Sequence, residues 1–407
     1  MVNKVDQDAM RDVNRKLMLQ ALFNAEQTSR SEIADQIALH KSTVTTIYRD
    51  VEDLGYIEEL GEGAVSKVGG RKPKLIRFNR QFGYIVSFDL GRHHLRYLVA
   101  RMTGETIARG QMTVTGMAYR DIKRAMLSYV AQLGDMHTER GLIGVGVAIH
   151  GVVEDNCVRY TPFHTDLLEH DLATELTEEL DVPVFLENEA NLAAVYLRDF
   201  HDYDSEETYR NFAVVNIHNG IGAGIIQNER LFRGLHGEAG EIGRQVIINN
   251  DYLAAGKFDA PIHIEDLYAE DAMLSRLGVL KGQDEITRDD FLSLYMGGDS
   301  DAIALLQEWV HAISRTVYNL AQYAAPEAIF VHSRFIAGTP QLLDLLLQTY
   351  HEILPESDTP LFFAKNSVNK ATLAGGVAIV TRHLLDMMGY ELKFTMTEED
   401  QADANWL

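Results

Sequence analysis

Two stretches about 130 residues apart are built alike. YIVSFDLGRHHLRYLVARMTGETIARGQM (84–112) and NFAVVNIHNGIGAGIIQNERLFRG (211–234) each read strand, glycine-containing turn, strand. Apolar runs cut by Gly and Asn mark hairpin strands. A helical pattern follows each, YRDIKRAMLSYVAQLG at 119–134 and DAIALLQEWVHAISRTVYNLAQYA at 301–324. A strand-and-helix plan used twice predicts two α/β lobes with a cleft between them, and such clefts take small ligands. With 407 residues, 46% of them hydrophobic, the chain can fill two or three cores.

The charge separates off the front of the chain. Residues 1–80 hold 13 Lys and Arg against 12 Asp and Glu, which leaves 24 basic and 48 acidic residues, a charge of −24, on the rest. A polyanion such as DNA is therefore expected to meet only the first 80 residues. There, Ser29 and Glu32 form a capping box that opens a helix with apolar Ile33, Ala34 and Ile37. After a break at LHK, a second helix aligns Val44, Ile47, Val51 and Leu54, and Gly55 ends it. A longer amphipathic segment, RDVNRKLMLQALFNA, lies ahead of both. Three helices with a short turn between the last two follow the helix-turn-helix plan.

The other face of the last helix carries Lys41, Ser42, Thr43, Thr45, Thr46 and Arg49. Small hydroxylated and basic residues let a helix approach base edges and bond phosphates, whereas an ordinary solvated face, the alternative, is usually richer in Glu and Lys. The next stretch, EELGEGAVSKVGGRKPKLIRFN, reads as two short strands around a glycine-rich loop, a wing. Arg71 and Lys72 in that loop suit an arm entering the minor groove, a reading compatible with a basic linker between domains.

Cys157 is the one cysteine, so neither an internal disulfide nor a cysteine-rich zinc site can form. No apolar run is long enough to span a bilayer, and MVNKVDQDAMRDVNRKLM has no apolar block of the signal-peptide kind. A cytoplasmic protein without membrane contact is expected.

The ordered blocks GGRKP, FDLG, VGVAIHGVV, PVFLENEANLAA, NGIGAGIIQNERLFRGLHGEAGEIG and IEDLYAE resemble the ROK family of repressors, open reading frames and kinases over nearly the whole chain. The resemblance implies a winged helix-turn-helix (1–80) followed by an actin-like, sugar-kinase fold of two α/β lobes. Lobe one would span 81–205, with a helix at about 370–388 packing back on it. Lobe two would span 206–369, and 389–407 would be a tail. It also implies a sugar site made by Gly151, Asn188, Glu189, Glu241 and Glu265. Carboxylates suit that task because they accept several hydroxyl donors in charge-assisted bonds. Glu238 reads equally well as a surface charge.

The chain departs from the family's kinase pattern at several points. The phosphate turn is DLGRHH, with Arg92, His93 and His94 where small residues are usual, and IHNGIG carries His218 and Asn219 in the second. VHSRFIAG replaces the adenosine-side glycine run, and Glu189 stands where the catalytic aspartate would. Phosphate loops need converging backbone N–H groups, and a base one methylene too long misplaces the proton acceptor. No catalytic residue is therefore expected.

The family's zinc cysteines are missing from RQVIINNDYLAAGKFDAPIHIEDL, and Arg244 takes the histidine's place. No metal or cofactor is expected, and Ile262 and Leu267 would hold the loop by packing. Arg244 either neutralises Glu241 or Glu265 or grips an anionic ligand. The expected function is a sugar-responsive repressor of a carbohydrate operon, xylose first by resemblance, binding operator DNA as a homodimer or a tetramer. The alternatives are a sugar kinase carrying a DNA-binding domain and a regulator released from DNA by a partner protein.

Overall fold

Two five-stranded sheets with one strand order form the scaffold. The computed structural model describes residues 4–63, 72–201, 207–247, 262–353, 355, 359–364, 368–397 and 400. The first sheet comprises β4 (Tyr84–Leu90), β5 (His94–Arg101), β6 (Thr106–Thr113), β7 (Leu142–Ile149) and β10 (Val184–Asn188), ordered β10-β7-β4-β5-β6. The second comprises β11 (Phe212–Ile217), β12 (Ile221–Gln227), β13 (Arg230–Leu231), β16 (Ala328–Ser333) and β17 (Leu361–Phe363), ordered β13-β12-β11-β16-β17. In both, three antiparallel strands continue into two parallel ones. The short hairpin of β8 (Val152–Glu154) and β9 (Cys157–Tyr160) stands apart. Central strands β4 and β11 are buried on both faces, which explains their unbroken apolar runs.

Each lobe lends its last helix to the other. After α4 (Tyr119–Leu133) and α5 (Leu172–Leu180), helix α6 (Glu189–Phe200) follows β10 of the first sheet but packs on β11 and β12 of the second. The helix Val368–Leu385 follows β17 of the second sheet and packs on β4 and β7 of the first. The two helices cross against each other between the sheets. A change in how the lobes meet must therefore move α6.

The N-terminal helices are α1 (Lys4–Phe23), α2 (Arg30–Gln36) and α3 (Lys41–Asp53). They pack on a small sheet ordered β1-β3-β2, made of β1 (Thr28–Ser29), β2 (Ile57–Glu62) and β3 (Lys74–Phe78). Ser29 Oγ caps α2 by accepting from the Glu32 N–H at 3.3 Å. Val44, Ile47, Tyr48 and Val51 are the buried face of α3. Leu54, expected on that face, is 42% exposed. The helix ends at Asp53, Leu54 is its C-cap, and Gly55, at φ +86°, turns the chain away after it. Tyr48, on the opposite side of the expected stripe's edge, fills in.

Candidate functional site

The cleft is built around the start of α6. Asn188 is its N-cap: Oδ1 accepts from the N–H groups of Ala190 at 2.8 Å and Asn191 at 3.0 Å. Its Nδ2 donates to the Gly151 carbonyl at 2.7 Å. Both polar ends of Asn188 are thus engaged in holding the β10–α6 corner to the β7–β8 turn. Gly151 sits at φ +143°, and a β-carbon there would collide with the Tyr160 carbonyl, so this turn admits only glycine.

Glu189, one residue on, is half-buried at the cleft. Burial raises its carboxyl above the usual range, against the pull of nearby His150. Glu241 arrives from the other lobe, on the loop after β13. Its carboxyl is pushed up to about 7, first by burial and then by repulsion from Glu189 and Glu265. Glu265 lies in the short helix Ile264–Tyr268, accepts from the Ile221 N–H at 3.4 Å, and is raised chiefly by burial. Glu241 thus feels both Glu189 and Glu265 across the cleft. Acceptors crowded in this way are short of donors, which a polyol supplies. Glu238 is exposed.

Arg244 is exposed and holds its guanidinium 5.1 Å from the Tyr160 ring centroid. Among the described residues it forms no ion pair with Glu241 or Glu265, although its charge lowers the pKa of both. Tyr160, which faces Glu241, Glu265 and Arg244, was not among the residues singled out from the sequence.

Beyond Glu189 lies a cavity of about 210 Å³ lined by Asp89, Arg96, His150, Glu189, His218 and Arg334 among others. Asp89 Oδ1 meets His150 Nε2 at 2.9 Å, and Oδ2 meets Arg96 at 3.3 Å. Burial alone would raise the Asp89 carboxyl, yet His150 and Arg96 together hold it below its usual value. His218 is held well below its usual value by burial and by Arg334.

Around the loop expected to be held by Ile262 and Leu267, Leu267 packs on the core of the second lobe. Ile262 acts through the backbone instead, pairing with Ile247 in a two-stranded ladder of β14 (Val246–Ile247) and β15 (Ile262–His263).

On α3, Lys41, Ser42, Thr46 and Arg49 are exposed and Thr43 and Thr45 half-exposed, all on one side of the helix. Thr45 and Thr46 donate their hydroxyls to the carbonyls of Lys41 at 2.7 Å and Ser42 at 3.3 Å, leaving their oxygens free to accept. Lys72 lies 3.6 Å from Glu62. Arg71 lies outside the described residues.

The fold and the cleft define a two-lobed, sugar-kinase-like protein with helices added in front. Residues 85–383 match the ROK family, and the chain belongs to it. It is 35% identical to the xylose repressor of Lactiplantibacillus pentosus over 96% of its own length and 98% of that protein's. It is 29% identical to the xylose repressor of Staphylococcus xylosus, over 93% and 97%. Among solved structures, a ROK family transcriptional regulator homologous to the Escherichia coli Mlc protein superposes with a TM-score of 0.75 at 20% identity, covering 93% of this chain and 98% of that one. ROK hexokinase from Thermus thermophilus gives a TM-score of 0.60 at 19% identity, over 74% and 99%. Among the described residues no helix is long and apolar enough to cross a membrane.

Proposed function

We propose that this chain is a sugar-responsive repressor: α3 and the β2–β3 wing form a winged helix-turn-helix that binds operator DNA, and a neutral sugar, D-xylose first, occupies the interlobe cleft. The observation that carries the reading is the carboxylate cluster Glu189, Glu241 and Glu265, assembled from both lobes at the head of α6. Two relatives similar over nearly the full length, from Lactiplantibacillus pentosus and Staphylococcus xylosus, are named xylose repressors, which supports the class and makes xylose the first sugar to try. An N-acetylglucosamine repressor is also similar over 93% of the chain, at 24% identity.

A physical path joins the two functions. At the far end of α6, Asp199 receives Arg382 through two bonds of 2.6 and 2.7 Å, and its carbonyl accepts the Phe394 N–H at 3.0 Å. Residues 391–394 then meet the C-terminal end of α1: Asn24 Oδ1 accepts from the Lys393 N–H at 2.8 Å, and Asn24 Nδ2 donates to the Glu391 carbonyl at 3.1 Å. A sugar that prefers one lobe arrangement moves α6, and α6 carries α1 with it. Only its differential affinity for the two arrangements can do this work. In a homodimer, the same movement resets the spacing of the two recognition helices.

Phosphoryl transfer is not part of the proposal. Asp89 is engaged by His150 and Arg96, and arginine and histidine side chains line the space where a nucleotide's phosphates would need backbone N–H groups. A thermal-shift screen with pentoses, hexoses and their phosphates tests the reading. Stabilisation by at least one neutral sugar supports it, and silence across the panel overturns it in favour of release by a partner protein.

A further inference from the structure

The loop that delivers Glu241 does not stay in its own lobe. After β13 it crosses to the first lobe and docks there twice. Arg233 reaches Glu187, on β10, with Nε at 2.7 Å and its terminal nitrogen at 2.6 Å from Oε2. The Glu187 side chain is only 6% exposed. Its other oxygen, Oε1, accepts from the Asn188 N–H at 3.0 Å and from Asn191 Nδ2 at 2.9 Å. Three residues further on, His236 pairs with Glu154 on β8, which also holds Arg159 at 2.8 Å. Gly237, at φ +76°, lies so close to the Val153 carbonyl that a β-carbon would collide with it. The loop then returns to its own lobe, where the Ala223 N–H donates to the Gly240 carbonyl at 2.8 Å, and presents Glu241.

We propose that Arg233 and Glu187 form an interlobe latch that positions the two halves of the sugar site against each other and so sets sugar affinity. The inference rests on the cleft being a sugar site. Glu187 directly precedes Asn188 and Glu189, and one of its oxygens organises the first turn of α6 while the other is held by the opposite lobe. A buried carboxylate with its cation removed is strongly unfavourable, so the corner rearranges or the lobes part to admit water. Two guanidinium N–H groups converging on one carboxylate oxygen fix orientation as well as distance, which a lysine ammonium cannot do. Arg233 is a positioning residue: it acts on a bound sugar through Glu187 and the α6 corner.

The test is a cycle of full-length variants, Arg233→Gln, Glu187→Gln and both together, with Arg233→Lys as the conservative change. D-xylose affinity is measured by calorimetry, operator affinity without sugar by fluorescence anisotropy, and backbone exchange by deuterium labelling. Each single substitution is expected to weaken sugar binding roughly tenfold, with the double variant no worse than the weaker single and Arg233→Lys intermediate. Operator affinity without sugar is expected not to fall. Arg233→Gln is also expected to speed exchange at the amides of Asn188 to Asn191 and of Glu238 to Glu241, with no sugar present. Unchanged xylose affinity in the folded variants, or losses that add, would overturn the latch. If the wild type binds no sugar, the proposed function fails, and the exchange experiment still decides the latch: unchanged rates at both segments overturn it. Should Arg233→Gln not fold, Glu187→Gln and Arg233→Lys give the same decision.

Discussion

Phe394 sets its ring edge-on to Phe23, the last residue of α1, with centroids 5.1 Å apart and planes at 63°. The same Phe394 ring lies 5.4 Å from Phe200, the last residue of α6. One buried side chain thus touches the helix that leaves the cleft and the helix that supports the DNA-binding face. Phe394→Leu is expected to leave sugar affinity and operator affinity close to wild type while reducing the sugar's effect on operator binding at least tenfold. Sugar and operator titrations, separately and together, check this. Undiminished coupling would show that the signal takes another path.

Glu241 gives the cleft a pH dependence whose sign is fixed by its shift. Its carboxyl titrates at about 7 when folded against an ordinary value of 4.5. The folded chain therefore binds this proton more readily than the unfolded chain. The stabilisation this gives is present below about pH 4.5 and is lost as the pH rises through 7. Glu241→Gln is expected to raise the melting temperature of the sugar-free protein by a few degrees at pH 8 and little at pH 5. Equal shifts at both pH values would mean that the carboxylate is not crowded in the folded state.

The sugar is expected to bind the ionised form of Glu241, so binding releases a proton near neutrality. Wild-type sugar affinity should weaken as pH falls from 8 to 6, and calorimetry in buffers of different ionisation enthalpy reads the released proton directly. An affinity independent of pH in this range would remove Glu241 from the ligand set.

On the DNA side, Lys72→Ala is expected to weaken binding to all sequences alike and to reduce the salt slope by about one, as for a phosphate contact. Thr45→Ala, on the exposed side of α3, is expected to alter preference between operator variants at nearly unchanged slope. Anisotropy titrations at several salt concentrations distinguish the two. If neither substitution changes operator binding, the docking face is wrongly assigned.

Purified protein with ATP and a panel of sugars is expected to give no phosphorylated product. Turnover abolished by Glu189→Gln would reinstate the kinase reading.

The parts of this architecture that repeat locally were legible in the sequence. The hairpins at 84–112 and 211–234 announce themselves by strand runs and glycine turns, and β4, β5, β11 and β12 form where those runs lie. The α3 stripe was legible for the same reason, failing only at Leu54, where the helix had already ended. Pairs made by the fold alone were not. Arg233 and Glu187 are 46 residues apart, His150 and Asp89 are 61, and Arg382 and Asp199 are 183. No period links such partners, and a buried carboxylate's cation cannot be found until the topology is known. The resemblance implied a helix at about 370–388 packing back on the first lobe, but the packing of α6 on the second sheet was hidden for that reason too. Asn188 carried a local signal that was passed over: an asparagine at the end of a strand and the head of a helix is an N-cap.

The central claim is that sugar in the cleft governs operator binding at the other end of the chain. Its most direct test is an operator titration of wild type and Glu241→Gln with and without saturating D-xylose. The account predicts that xylose weakens operator binding of the wild type at least tenfold. It also predicts that Glu241→Gln binds the operator as tightly as wild type in the absence of sugar and ignores xylose at the same concentration. A loss of about 3 kcal/mol, the upper end for one charge-assisted bond and roughly a hundredfold in affinity, leaves the site mostly empty at a xylose concentration about ten times the wild-type Kd. Glu241→Gln that still binds xylose as tightly as wild type and releases the operator would contradict the account.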